Sequence, residues 1–336
     1  MKGFLRSALC VTVAALLPVA ASAADIKERT IKFAFQNNKG HPQEMGAQKF
    51  ADLVSAKSDN KIKVKLFPGG QLGGDVQTVS AIQGGTIEMT VLNSGILQAQ
   101  AKEFAIYDFP FLFANPQEVD AVTDGNFGKS LHAKLADKGI IGLAYWELGF
   151  RNITNSKHPI TRLEDIAGLK LRVIQSPIYV DLFSTLGANP TPLAWPEVYN
   201  ALEQKAVDGQ ENPFTVIRAA KLNEVQKHVA VTRHVYNPQS VIISKKLWDA
   251  MSADEKKIMS DAAAEATRYQ REVSRQQAAE ALEDLKKAGM QVTELSAAET
   301  QRLRDKVKPV IDKHTASVGE DTVKAMYADL EAIRRK

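Results

Sequence analysis

Near the start of the mature chain, hydrophobic and polar residues alternate with the period of a strand. Ile31-Lys32-Phe33-Ala34-Phe35 opens the pattern, and Ile62-Lys63-Val64-Lys65-Leu66 repeats it before stopping at Pro68-Gly69-Gly70. Between them, after His41-Pro42, Met45, Phe50, Leu53 and Val54 fall at helical spacing. Asp75 follows a glycine-rich loop and is placed to cap a helix carrying Val76, Val79 and Ile82, which Gly84-Gly85 ends before a strand over 87–92. This β-α-β-α-β order predicts an open, largely parallel sheet covered by helices.

A second block begins near Gly149. Arg151-Asn152-Ile153-Thr154-Asn155 reads as extended, Leu169-Lys170-Leu171-Arg172-Val173 alternates as a strand, and Pro177 starts a helix that Gly187 closes. Trp195 to Leu202 forms a short helix, and residues 207–212 return to strand or loop. After Pro238 a strand runs from Gln239 to Ser244. Ala253 to Lys287 then contains no glycine or proline, longer than an ordinary globular helix, so it bends, breaks or bridges two domains. Two α/β blocks joined by more than one crossing predict a hinged, two-lobed α/β protein with a ligand between the lobes, near strand ends and helix starts. The division reads 1–23 as a signal peptide, 24–148 with 238–277 as lobe I, and 149–237 with 278–336 as lobe II.

The N-terminus sets the compartment. Lys2 and Arg6 precede an apolar run from Ala8 to Ala20, and Ala21-Ser22-Ala23 is a small-residue cleavage pattern. This is the order of a secretory signal, and the run is too short to span about 30 Å of hydrocarbon. The single cysteine, Cys10, leaves with it, so the mature chain forms no disulfide and has no thiolate ligand or nucleophile. The 43 Lys and Arg against 39 Asp and Glu give +4 overall, with no basic block of the kind nucleic acid requires. The expected location is periplasmic and the expected state monomeric.

No enzyme motif is present: no HExxH, GxSxG, phosphate-binding loop or GxGxxG occurs, and His41, His158, His228 and His234 lack ligand spacing. No catalytic residue, metal or cofactor is expected. Candidate chemistry lies instead in cations and amides at strand ends. Arg172 alternates with the apolar face of its strand, where its planar fork could grip a carboxylate; a surface ion pair is the alternative. Arg151, at the crossing between blocks, could neutralise an anion or tie two loops together. Gln36, Asn93, Gln175 and Asn212 sit at or near strand ends, where amides suit hydroxyl groups or cap turns. Trp195 could cover a carbon skeleton or pack in the core.

In combination, these residues resemble a known family. Phe67-Pro68 with Gln71-Leu72-Gly73-Gly74-Asp75, Gly149-Phe150-Arg151 with Thr154-Asn155, Gly168 to Val173, and Ala206 to Pro213 followed by Glu224-Val225-Gln226-Lys227 are similar to the solute-binding proteins of TRAP transporters, from about Thr30 to Glu320. The resemblance implies a periplasmic-binding-protein fold with a hinge and a long helix crossing both lobes. It also implies closure on a small organic acid anion and delivery to a two-part membrane permease. It places the carboxylate-binding arginine on Arg172, a second cleft arginine on Arg151, a cleft asparagine on Asn212 and an aromatic on Trp195, a position that is often phenylalanine. Asn93 stands where sialic-acid-binding relatives carry an acid, which argues against that ligand. The sequence resembles the branch that includes receptors for glucuronate and galacturonate; a C4-dicarboxylate would ask for two cationic ends, with Arg151 the second. The expected site is Arg172 and Arg151 on the carboxylate, Gln36, Gln77, Asn93, Gln175, Asn212 and Gln239 on hydroxyls, and Trp195 over one face, with His41 and Asp75 as further contributors.

Overall fold

The computed structural model describes residues 25–335; the signal segment 1–23 and Cys10 lie outside them. Eleven strands form two sheets. They are β1 (Arg29–Phe35), β2 (Ile62–Phe67), β3 (Met89–Asn93), β4 (Ile140–Phe150), β5 (Asn152–Asn155), β6 (Lys170–Val173), β7 (Asn189–Pro192), β8 (Gly209–Asn212), β9 (His228–Val231), β10 (Tyr236–Ser244) and β11 (Gln291–Glu294). The first sheet has the order β2-β1-β3-β10-β4 and the second β11-β9-β5-β8-β6-β7.

The first sheet is mixed rather than largely parallel. β2, β1 and β3 run parallel, as their helical crossovers require, but β10 pairs antiparallel with both β3 and β4. The reason is non-local. β10 arrives from the other lobe more than 140 residues after β3 and enters from the opposite end. This places Gln239 directly across from Asn93. Alternation divides the strands between two cores: Ile31, Phe33 and Phe35 of β1 pack with Phe50, Trp146 and Met259, while Ala34 faces Ile82, Leu92 and Phe104. The exposed edge, β2, carries Lys63 and Lys65 on its outward positions, charges that discourage edge-to-edge pairing.

Two strand crossings join the sheets. β4 passes into β5 through Arg151, and β9 passes into β10 through Thr232–Val235. The crossings are bonded to each other, with Arg151 N donating to Val235 O at 2.9 Å. The third link is one unbroken helix, Ala253–Lys287. It starts on a capping box in which Glu255 N donates to Ser252 Oγ at 3.1 Å and Ser252 N to Glu255 Oε2 at 2.8 Å. Its buried residues recur at three- and four-residue spacing, from Met259 through Ala266 and Gln270 to Leu285. It packs on the helix Pro42–Lys57 and β4 in the first lobe and on the helix Phe214–Ala219 in the second.

The C-terminal helix Glu320–Arg334 returns to the first lobe, whereas the sequence division put 278–336 in the second. It packs on the helix Pro116–Asp124, and Arg334 pairs with Glu118 at 2.8 Å.

Gly46 sets the approach of the helix Pro42–Lys57 to the long helix. A Cβ there would lie 2.6 Å from Gln270 Cγ and 3.2 Å from the Trp146 ring. Gln270 cannot move aside, because it bonds Glu147 N and Glu147 O at 2.8 and 2.7 Å. Gly46→Val is expected to cost about 1–3 kcal/mol by overpacking, despite the better helix propensity of valine, read as a lower urea midpoint at unchanged slope.

Candidate functional site

The cleft between the lobes is lined by the ends of β1, β3, β6, β8 and β10. It is closed. A Cβ on Gly70 would come within 2.7 Å of Pro196 Cγ, and one on Gly74 within 3.2 Å of Ala194 Cβ, so the glycine loop of one lobe touches the Ala194–Pro196 loop of the other. Gly70 and Gly73 also adopt positive φ, at 70° and 106°, which favours glycine in this turn. Across the cleft, Gln98 Nε2 donates to Ser176 Oγ at 3.1 Å, and Ser176 Oγ donates to Asp108 Oδ2 at 2.8 Å.

Arg172 projects from β6 into this cleft and is 4% exposed. Its Nε and Nη2 both donate to Leu193 O, at 3.0 and 2.7 Å, which fixes one edge of the guanidinium. Its centre lies 5.7 Å from the Trp195 ring centroid. The end-on pair formed by Nη1 and the second Nη2 hydrogen has no acceptor, and no carboxylate of the described residues is in ion-pair reach. Burial pulls its pKa down to about 10, Arg151 adds to the fall, and Glu211 and Asp75 oppose it. It therefore remains a cation at neutral pH.

Arg151 also borders the cleft but is already occupied. It is fully buried, and four of its five N–H groups are bonded: Nε to Glu211 Oε2 at 2.5 Å, Nη2 to Glu211 Oε1 and O at 2.7 and 2.5 Å, and Nη1 to Asn237 Oδ1 at 2.8 Å. Burial opposes its charge, and Glu211 more than restores it. Glu211 is also met by His234 Nε2 at 3.0 Å, whose Nδ1 lies 2.8 Å from Thr232 Oγ1. Burial keeps that imidazole neutral at physiological pH, so Nε2 donates to the carboxylate and Nδ1 accepts from the threonine. Arg151 can offer a ligand at most one N–H. In this structure it ties strand ends together, the structural alternative of the sequence reading, and leaves no free edge like that of Arg172.

The amides divide in the same way. Gln36, Asn93, Gln175, Asn212 and Gln239 all line the cleft. Gln36 Nε2 donates to Gly73 O at 3.1 Å, which leaves its Oε1 without a partner. Asn93 Oδ1 and Gln239 Oε1 are likewise buried and unpaired, side by side in the sheet register. Asn212 Nδ2 is held by Gln210 Oε1 at 2.6 Å.

Two expected contributors do not line the cleft. Gln77 is exposed and turns back on its own helix start, accepting from the N-cap Gly74 N at 2.9 Å. His41 N-caps the helix Pro42–Lys57, its Nδ1 accepting from Gln43 N at 3.0 Å, and burial lowers its pKa to about 3, so it stays neutral. Sequence reasoning missed Asn37 and Gln43, which line the cleft as a pair, with Asn37 Nδ2 donating to Gln43 Oε1 at 2.9 Å. The signal was there: Asn37 follows Gln36 at the strand end, and Gln43 is a polar residue in the first turn after His41-Pro42.

Asp75 does line the cleft. Its Oδ1 is sealed from solvent without a hydrogen-bond partner, and burial raises its pKa to about 7 against the pull of Arg172.

Residues 33–317 match the family of bacterial extracellular solute-binding proteins, family 7, also named DctP. The chain belongs to this family. Its fold is that of a TRAP periplasmic solute-binding protein from Ochrobactrum anthropi, 57% identical with a TM-score of 0.82 over 92% of this chain and 97% of that one, whose C-terminus is bound in its ligand-binding pocket. It is also that of the sugar acid binding protein DctPAm from Advenella mimigardefordensis in complex with galactonate, 42% identical with a TM-score of 0.90 over 92% and 99% of the two chains. The C4-dicarboxylate-binding periplasmic protein DctP of Rhodobacter capsulatus is 35% identical over 302 residues, 89% of this chain and 90% of that one. Family and neighbours are receptors, and the two-lobed fold with its spanning helix is the one expected of them.

Removing the negative charge of Glu211 would leave the Arg151 guanidinium buried without a counter-ion. Glu211→Gln is expected to lower unfolding free energy by about 3–5 kcal/mol, measured by chemical denaturation without ligand.

Proposed function

We propose that this protein is the periplasmic receptor of a TRAP transporter for a sugar acid. The ligand is a polyhydroxylated monocarboxylate, with D-glucuronate and D-galacturonate the first candidates and D-galactonate, the ligand of the Advenella relative, beside them. The receptor acts as a monomer, follows its N-terminal signal to the periplasm, and hands the acid to the membrane permease. The observation that carries this reading is Arg172, a buried cation whose free edge faces the cleft with no carboxylate in ion-pair reach, beside unpaired amide oxygens.

The ligand carboxylate takes the end-on fork of Arg172, and Trp195 covers one face of the carbon skeleton. Gln36, Asn93, Gln175, Asn212 and Gln239 bond hydroxyls, and Asp75 accepts from one more. Arg151 contributes at most its single remaining N–H and otherwise holds the floor. A C4-dicarboxylate, the ligand named for the Rhodobacter relative, would need a second cation that Arg151 is not free to supply. Micromolar to nanomolar capture needs roughly 8–12 kcal/mol, which one desolvated charge pair and several hydrogen bonds can supply.

Calorimetry with D-galacturonate, D-glucuronate, D-galactonate and succinate tests the reading. Sugar acids are expected to bind and succinate to bind weakly or not at all; tightest binding by succinate would overturn the sugar-acid assignment. Arg172→Lys is expected to weaken binding about 100-fold or more, because lysine loses the planar fork, and an unchanged affinity would remove Arg172 from the site.

Affinity should also depend on pH through Asp75. Burial in the closed cleft raises its carboxyl to about 7; opening hydrates the group and removes that cause, so closure is expected to take up a proton between the ordinary carboxylate range and 7. Affinity is therefore greatest at the acid end of that window. It falls by up to about tenfold per pH unit as pH rises through it, and levels off above. Titrations at pH 5 to 8 should show this slope in the wild type and a flat profile in Asp75→Asn.

A further inference from the structure

Besides the contact at the glycine loop, the lobes meet through a polar chain of three side chains. Gln98 sits in the 3-10 helix Ser94–Ala99, directly after β3. Asp108 ends the 3-10 helix Lys102–Asp108, which packs on that turn and on β10. Ser176 comes from the other lobe, between Gln175 and the helix Pro177–Thr185. None of the three lines the cleft, although Ile96 and Gln175 beside them do.

The first lobe holds its half ready. One N–H of Gln98 Nε2 goes to Gly95 O at 3.0 Å and the other to Ser176 Oγ at 3.1 Å. The Asp108 carboxylate occupies the place of a side chain at residue 95, since a Cβ on Gly95 would overlap both of its oxygens. The second lobe supplies a single hydroxyl. Ser176 Oγ accepts from Gln98 and donates to Asp108 Oδ2 at 2.8 Å, so both of its roles are used across the cleft. Ser176 stands at the N-cap of its helix, where a serine ordinarily accepts from the first turn, yet its side chain makes no such bond. Its hydroxyl is committed to the opposite lobe instead, and the residue is 2% exposed.

We infer that Gln98, Ser176 and Asp108 form a closure latch, positioning residues that prolong the residence of a bound acid without touching it. The inference rests on the receptor reading above. With the lobes apart, water can replace the Ser176 hydroxyl, one hydrogen bond for another. With the lobes together, only that hydroxyl meets the second N–H of Gln98 and Asp108 Oδ2. Removing it therefore raises the energy of the closed form alone. Apparent affinity scales with the population of the form that binds, so the loss is the same factor for every ligand.

Stopped-flow fluorescence of Trp195 and calorimetry, with D-galactonate and D-galacturonate as probes, test the latch. Ser176→Ala is expected to speed release and weaken both acids about tenfold, with association within about twofold of the wild type. Its ligand-free urea midpoint should be unchanged, because no helix cap is lost. The double variant Gln98→Ala, Ser176→Ala should bind no more weakly than Ser176→Ala alone, since it no longer leaves a Gln98 N–H unmatched. Release at the wild-type rate overturns the latch. So does a factor that differs between the two acids, an additive loss in the double variant, or a loss matched by a lower urea midpoint. A wild type that binds no acid refutes the receptor reading and the latch with it; a wild type that binds, with Ser176→Ala unchanged, refutes the latch alone.

Discussion

Two arginines sit in the wall of one cleft, and the structure depends on their being treated in opposite ways. Arg151 is enclosed by a bidentate carboxylate, a backbone carbonyl and an amide. Arg172 is held along one edge by Leu193 O, and its other edge faces the cleft. A carbonyl fixes a guanidinium without neutralising it. The closed cleft thus carries a desolvated positive charge, a costly state unless an anion shares the space. Under the proposed function, the same cost that discourages closure alone would become attraction when a carboxylate is present, and one side chain would link capture to lobe movement.

The remaining parts make that movement well defined. Arg151 sits in the first crossing strand, receives support from Asn237 at the start of the second, and is anchored to Glu211 in β8. The buried pair therefore joins both crossings to the second sheet, and its neutral histidine occupies a further acceptor site on Glu211. The long helix is a third, stiff connection, packed closely on the first lobe through Gly46. At the mouth, Gly70 and Gly74 let two loops meet backbone against side chain. Their missing side chains permit a tight seal, and the seal excludes the water that would otherwise weaken each polar contact in the cleft.

Much of this was legible in the chain because the signals were local. Strand alternation located β1, β2 and β6, and the long helix expected over Ala253 to Lys287 is the helix Ala253–Lys287. Arg172 could be singled out because its strand neighbours are apolar on alternate positions. What was hidden depended on distant partners. Arg151 reads equally as a cleft cation or as a tie between two loops until Glu211, 60 residues away, is folded against it. The antiparallel placement of β10 and the return of the last helix to the first lobe follow from chain paths that no local pattern encodes. His41 and Gln77 are a different kind of miss. Each has a capping role written in adjacent residues, His41 before Pro42 and Gln77 three after Gly74, and the polar side chain was assigned to a ligand when the helix end had first claim on it.

The charge inventory of the cleft bears directly on ligand class. One cation is uncompensated, and the groups around it are neutral amides together with an acid whose pKa burial already raises. A first carboxylate balances Arg172. A second would enter a closed space with no cation left to meet it and with Asp75 nearby, so it would bear its desolvation cost and face repulsion as well. Hydroxyl groups bear neither. Each can donate to Gln36 Oε1 or Asp75 Oδ1, acceptors that are otherwise unpaired, and accept from an amide N–H. On the proposed reading, selectivity for hydroxylated monocarboxylates would rest less on extra attraction for the right ligand than on withholding a second cation from the wrong one. Glu211 brings this about by binding Arg151 before any ligand can.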